Sequence, residues 1–258
     1  MTDLIERSEV VQVLEDPAFT VPDADPAATR PAGRFRSLVS RFSNGPAHDD
    51  RRRRLLALLD ELDPAALAAG ATERTRAMHA ADADAIAAHV PVATLADRLG
   101  FPEPDATPAA AAAIASSYLT GEPSRSADAA VTRLLTMARH HDDDDHDAVL
   151  RVQLLVQAHA ATSGLITAAL HRRRSAADEE RRATSHLLAA VLRDTPPVQQ
   201  THRIAPDGET VVLRFDGPDS AAPEHPRTLA FGAGPRACPA RSHAIAIATA
   251  VVDEVGEC

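Results

Sequence analysis

Apolar positions recur every three or four residues along most of this chain, the period of helices that pack on one face. The pattern predicts short helices over Glu9–Leu14 and Arg34–Arg41. Longer ones follow over His48–Leu62, Asp63–Met78 and Asp84–Leu99, then Ala109–Tyr118 and Ala127–His140 around a turn at Gly121–Ser124. Ala148–Leu170 is the longest periodic stretch, and Thr184–Arg193 continues the helical series. After Pro197 the period changes. Val198–Ile204 and Thr210–Phe215 carry the branched, alternating residues of short strands, joined at Asp207-Gly208. The apolar run Ala244–Val255 reads as helix again. Proline and glycine set the breaks. Asp16-Pro17 ends the first helix, and Thr20–Gly33 is a loop. Ser43-Asn44-Gly45-Pro46 is a turn and helix start, and Asp63-Pro64 supplies an N-cap and first helical residue. Pro91 is expected to kink its helix or begin a new segment. The expected fold is mainly α with a small β region, a single domain over residues 1–258.

Composition changes this picture in one respect. Hydrophobic residues make up 45% of the chain but aromatic ones only 3%, so alanine carries much of the core. Such a core favours helix and buries little area per residue, which predicts modest stability unless a cofactor adds binding energy. The formal charge of -10 argues against general nucleic-acid affinity, and Arg51–Arg54 reads as a solvated helix face. The sequence shows no secretory signal and no apolar run of membrane length, so a cytoplasmic protein without a membrane partner is expected. Two cysteines, Cys238 and Cys258, make no disulfide framework. The tract His140–Asp147 has the residue types of a divalent-metal site, but its spacing fits no known ligand signature. It reads as an acidic turn that places negative charge at a helix start.

Candidate chemistry concentrates near the end, in Phe231-Gly232-Ala233-Gly234-Pro235-Arg236-Ala237-Cys238-Pro239-Ala240. Two glycines and a proline make a tight loop, and Pro239 is a favoured first residue of a helix. A thiolate there would sit at the positive end of a helix dipole, which predicts a lowered pKa and metal ligation. Haem iron is one of the few metals held by a single cysteine. The loop resembles the haem-binding signature of the cytochrome P-450 superfamily. Phe231, Gly234 and Cys238 match it, Ala240 stands where the family has a second glycine, and Arg236 matches a position that binds a haem propionate.

Other positions extend the resemblance. His48 and Arg52, four apart after the Phe42–Pro46 segment, match a His-x-x-x-Arg pair directed at the propionates, and Arg203 matches another propionate partner. Leu154–Gly164 resembles the long helix that crosses the distal face of the haem. It departs from the family where an acid and a threonine deliver protons: Ala160 and Ala161 stand there, with Thr162 one helical step beyond. His159 and Gln157 are the remaining polar candidates. Arg193 matches the arginine of a Glu-x-x-Arg pair that braces the cysteine loop, but Ala190 occupies the glutamate position. The match runs from about Val10 to Val255 in compressed form, with the usual amino-terminal helix and first strands absent.

The resemblance implies haem b with Cys238 as the metal ligand. It makes His48, Arg52, Arg203, Phe231, Gly234 and Arg236 cofactor-binding, and Gln157, His159 and Thr162 catalytic. The activity implied is a haem-thiolate oxidoreductase of monooxygenase type acting on a small secondary metabolite, peroxide-driven or with a non-standard proton relay. Two alternatives stay open: a non-oxidative haem enzyme (isomerase, dehydratase or cyclase), and a non-catalytic haem-binding or interaction module. The partners implied are the small-molecule substrate, an electron-donor protein or peroxide, and a second copy of the chain or a pathway enzyme.

Overall fold

The computed structural model describes residues 2–139, 145–175 and 183–257. The chain begins with a strand, β1 (Thr2–Leu4), and a helix, α1 (Arg7–Glu15). Helix α2 (Pro31–Leu38) and a 3-10 turn (Ser40–Phe42) lead into α3 (Gly45–Asp60). Helices α4 (Pro64–Ala77), α5 (Ala83–Arg98), α6 (Thr107–Tyr118) and α7 (Arg125–Ala138) follow. The long α8 (Asp145–Ser175) and α9 (Thr184–Asp194) precede β2 (Gln200–Ile204) and β3 (Thr210–Arg214). A 3-10 turn (Gly234–Arg236) and α10 (Arg241–Glu257) complete the described chain. The protein is mainly α-helical, with one small sheet.

Helix ends fall where local chemistry puts them. Asp63 caps α4 by accepting from the N–H groups of Ala65 and Ala66 at 3.0 and 3.3 Å. Ser124 caps α7 and Asp82 caps α5 in the same way. The main core is built where α4, α5, α8 and α10 pack together, through Leu67, Ala87, Val90, Leu155, Ile166 and Val251. Alanines on these faces let the backbones approach closely. A second cluster, Val10, Leu14, Val211, Leu213, Phe215 and Leu229, joins α1 to the sheet.

Three expectations change. Helix α5 continues through Pro91, which neither ends nor restarts it. The ring removes one intrahelical hydrogen bond, but Ile86, Val90 and Leu95 are buried on both sides of it, and that packing outweighs the local loss. The amino terminus is not bare: β1 pairs parallel with β3 and lies in the order β1-β3-β2, with β2 antiparallel to β3. Three residues are too short for a strand pattern to show. Helix α10 starts at Arg241 rather than Pro239, and Ala244 N–H donates to Ala240 O at 2.9 Å in its first turn. Cys238 therefore precedes the helix by a short turn. Of the acidic tract, His140–Asp144 lies outside the described residues, while Asp145 and Asp147 lie in the first turn of α8. Cys258 also lies outside them. No described helix is long and apolar enough to cross a membrane.

A candidate haem-thiolate site

The cysteine loop is closed by its own backbone. Cys238 N–H donates to Phe231 O at 2.7 Å, Gly232 N–H to Leu229 O at 2.7 Å and Ala237 N–H to Gly234 O at 3.0 Å. Gly232 and Gly234 have φ of +69° and +65°, a region that glycine enters without strain. Gly234 is further constrained, because a Cβ there would fall 2.7 Å from Leu14 O. Two arginines stitch the loop to the start of α3. Arg52 donates to Ala237 O at 2.6 Å, and Arg236 donates to Ser43 O at 2.8 Å and Asn44 Oδ1 at 3.0 Å. Each uses part of its guanidinium to hold the loop. A guanidinium has five N–H donors, so most of Arg52's remain to be used.

Arg203 is the informative residue. It stands on β2 between exposed His202 and half-buried Ile204 and is itself 5% exposed. Its partners are neutral, Thr201 Oγ1 at 3.3 Å and His202 O at 2.9 Å. Among the described residues no carboxylate pairs with it. Burial, followed by the charges of Arg236 and Arg41, pushes its pKa down to about 10. A buried cation among cations is unfavourable unless an anion completes it. His48 differs from the expectation of a fourth cation. It is buried, and burial with the neighbouring Arg236 and Arg52 charges lowers its pKa despite a 3.2 Å contact with Asp49, so it is neutral at pH 7.

The sulfur of Cys238 is exposed, yet enough protein surrounds it to push its thiol up from the ordinary value. The expected lowered pKa is not observed in the free thiol. The Ala240 N–H and the Arg52 and Arg41 charges all favour the thiolate, but desolvation outweighs them, partly because the helix begins beyond Ala240. Ligation to a metal would deprotonate it.

Three polar candidates on α8 separate. Thr162 is buried and, with Ala161, Leu165, Phe231 and Ala244, lines a void of about 30 Å³ between α8, the cysteine loop and α10. That void has room for about one water molecule. Gln157 turns toward α6, where its Nε2 donates to Tyr118 Oη at 3.2 Å. His159 is half-buried, its Nδ1 has no partner, and burial lowers its pKa. Ala160 is exposed, and Gln157, Ala158, His159 and Ala161 around it are half-buried. Arg193, expected to lack its glutamate, pairs instead with Asp194 at 2.7 Å.

Arg41 and Tyr118 were not singled out by sequence. Arg41 lies between the two walls: its charge acts on Cys238, on Arg203 and on Tyr118. Its signal was an arginine one step before the Phe42–Pro46 segment. Tyr118, the chain's one tyrosine, packs on Phe35 and Phe42 at 5.9 and 5.1 Å, and burial pushes its pKa up to about 12. Among the described residues no cluster of three or more acidic, histidine or cysteine side chains could hold a bare metal ion. The set present suits a different group: one thiol, the apolar ring of Phe231, and three arginines (Arg52, Arg203 and Arg236) that form no carboxylate ion pair among the described residues. That is the complement of a flat apolar macrocycle bearing two carboxylates and a thiolate-accepting metal. The void beside Thr162 is far too small for such a ring, so Cys238, Arg203, Arg236 and Arg52 are the residues that would hold it.

Solved cytochromes P-450 have similar structures. The cytochrome P-450 BioI, bound to an acyl carrier protein ligated with hexadec-9Z-enoic acid, matches with a TM-score of 0.74 at 16% identity, over 98% of this chain and 83% of that one. A cytochrome P-450 from the archaeon Picrophilus torridus with 4-phenylimidazole bound gives 0.72 at 16% identity, over 99% and 88%. CYP164A2 of Mycobacterium smegmatis with econazole bound gives 0.71 at 19% identity, over 97% and 82%. No protein-family model and no curated protein matches the sequence.

Proposed function

We propose that this chain, which has the cytochrome P-450 fold, binds haem b through Cys238 as a single haem domain and acts as a haem-thiolate oxidoreductase on a small apolar metabolite. One observation carries the reading: Arg203 is a buried cation that no carboxylate pairs with among the described residues, under the charges of Arg236 and of Arg41, whose charge also reaches Cys238. Bound haem supplies redox and Lewis-acid chemistry at its metal.

The chain's own residues do the rest. Arg203, Arg236 and Arg52 supply cationic donors for two carboxylates, and neutral His48 adds a hydrogen-bonding ring nitrogen. Phe231 covers an apolar face. Thr162 holds a hydroxyl at the small void, which has room for about one water molecule. His159, neutral and without a partner at Nδ1, is the titratable group of the central α8 segment and accepts a proton there. Gln157, held by buried Tyr118 on α6, is a positioning residue for α8. Residues 157–163 contain no carboxylate, which favours peroxide as the oxidant over dioxygen and an electron-donor protein, because fewer protons must then be delivered.

The same observation favours a second reading, non-oxidative isomerisation, dehydration or cyclisation. Titrating haem into the haem-free full-length protein tests the common part. Saturation at one equivalent is expected, with binding at least about tenfold weaker in Arg203→Met. Absence of saturable binding overturns it. Turnover with peroxide, with dioxygen and electrons, or with neither then separates the reactions, and haem binding without turnover indicates a non-catalytic module.

A further inference from the structure

The amino-terminal segment reaches the cysteine loop from behind. Arg7 opens α1 and is 3% exposed. Its guanidinium is given to main-chain oxygens of three separate segments. Nε donates to Gly217 O at 2.8 Å, Nη2 to Arg193 O at 2.7 Å, and Nη1 to Arg227 O. These belong to the loop after β3, the last turn of α9, and the stretch that runs into Leu229 and Phe231. The Arg7 N–H donates to Pro218 O at 2.9 Å, and the Glu6 carboxylate accepts from Ser220 N and Oγ at 2.9 and 2.8 Å. Gly217 permits this approach, since a Cβ there would lie 1.8 Å from Ile5 O. Asp219 is buried and folds the receiving loop. It accepts from Arg227 N, Nε and Nη2 at 2.9, 2.9 and 2.8 Å, which holds its carboxyl well below the usual range. The far end of α1 meets the cysteine loop itself, with Leu14 O against Gly234 and Ala233 packed on the Val10–Leu14–Leu229 cluster.

The geometry points to Thr2–Glu15 as the brace that holds the Cys238 loop in position, with Arg7 as its positioning residue. What the loop holds rests on the haem-thiolate reading; the brace does not. A planar guanidinium spreads its donors over three nitrogens in a fixed fork, one for each carbonyl here, whereas a lysine ammonium must serve all three from a single nitrogen. Helix α9 contributes its terminal carbonyl to this brace, while the Arg193 side chain stays at the surface with Asp194.

Hydrogen exchange on the haem-free full chain tests it, with Arg7→Lys and, as a variant that leaves the buried arginine in place, Gly217→Ala. Both are expected to speed exchange at the amides of Gly232 and Cys238 at least about tenfold, with α5 and α8 unchanged. In a Cys258→Ser background the alkylation rate of Cys238 changes with them. Where the wild type takes up haem, Arg7→Lys shifts its reduced carbon monoxide spectrum away from the thiolate-ligated form. Loop amides that keep wild-type protection in both variants overturn the brace, as does acceleration that is equal in α5 and α8. A wild type that takes up no haem while its variants loosen the loop removes the haem reading alone.

Discussion

Arg203 separates binding from stability. Replacing it with methionine removes a buried charge that no carboxylate neutralises among the described residues. Chemical denaturation of the haem-free protein is expected to show stability unchanged or raised by about 1 kcal/mol, the opposite sign to its effect on haem affinity. Two histidines make a pH prediction. Burial lowers the pKa of both His48 and His159 from the ordinary 6.5. Below 6.5 the unfolded chain takes up protons that the folded chain refuses, so the unfolded state holds more of them. Stability from these groups is complete above that pH and declines as pH falls through the lowered values. Urea midpoints across this range are expected to fall with pH, and less steeply in His159→Gln; an identical slope in the variant contradicts the assignment. For Cys238, whose thiol is pushed up, alkylation in Cys258→Ser is expected to keep accelerating above pH 9.0.

At the scale of elements, the walls of the site are set by helices tied at a few buried polar points. Gln153 on α8 is 1% exposed, accepts from Ser40 N at 3.0 Å and donates to Ser40 Oγ at 2.8 Å. This fixes the turn that carries Arg41. Gln153→Leu leaves the Ser40 N–H without a partner and is expected to cost about 1–3 kcal/mol by urea denaturation. The Asp63 cap makes a smaller contribution: Asp63→Ala is expected to cost about 1 kcal/mol. Periodicity and caps made most helices legible, because an apolar face and a capping side chain are local signals. The cysteine loop was legible through its two glycines and Arg236. The rest was not local. Arg7 acts through main-chain oxygens of residues far along the chain, which carry no side-chain signature. Pro91 misleads because burial of its neighbours overrides it, and β1 is too short to show a period.

For the molecule as a whole, an alanine-rich bundle of α4, α5, α8 and α10 forms the main core, a smaller cluster joins α1 to the sheet, and Cys238 and Ala160 are exposed. The core is light in large side chains, and Arg52, Arg203 and Arg236 form no carboxylate ion pair among the described residues. Both predict a protein stabilised by its ligand. Adding haem at saturation is therefore expected to raise the thermal midpoint of the wild type and to leave Cys238→Ala much less affected. The central claim is that the Cys238 sulfur is a metal ligand. The most direct measurement is the absorption spectrum of the haem-reconstituted protein, reduced and exposed to carbon monoxide. The account predicts the Soret band of a cysteine-thiolate-ligated ferrous haem, abolished in Cys238→Ala. A reconstituted protein without that band, or one whose band survives the substitution, contradicts it.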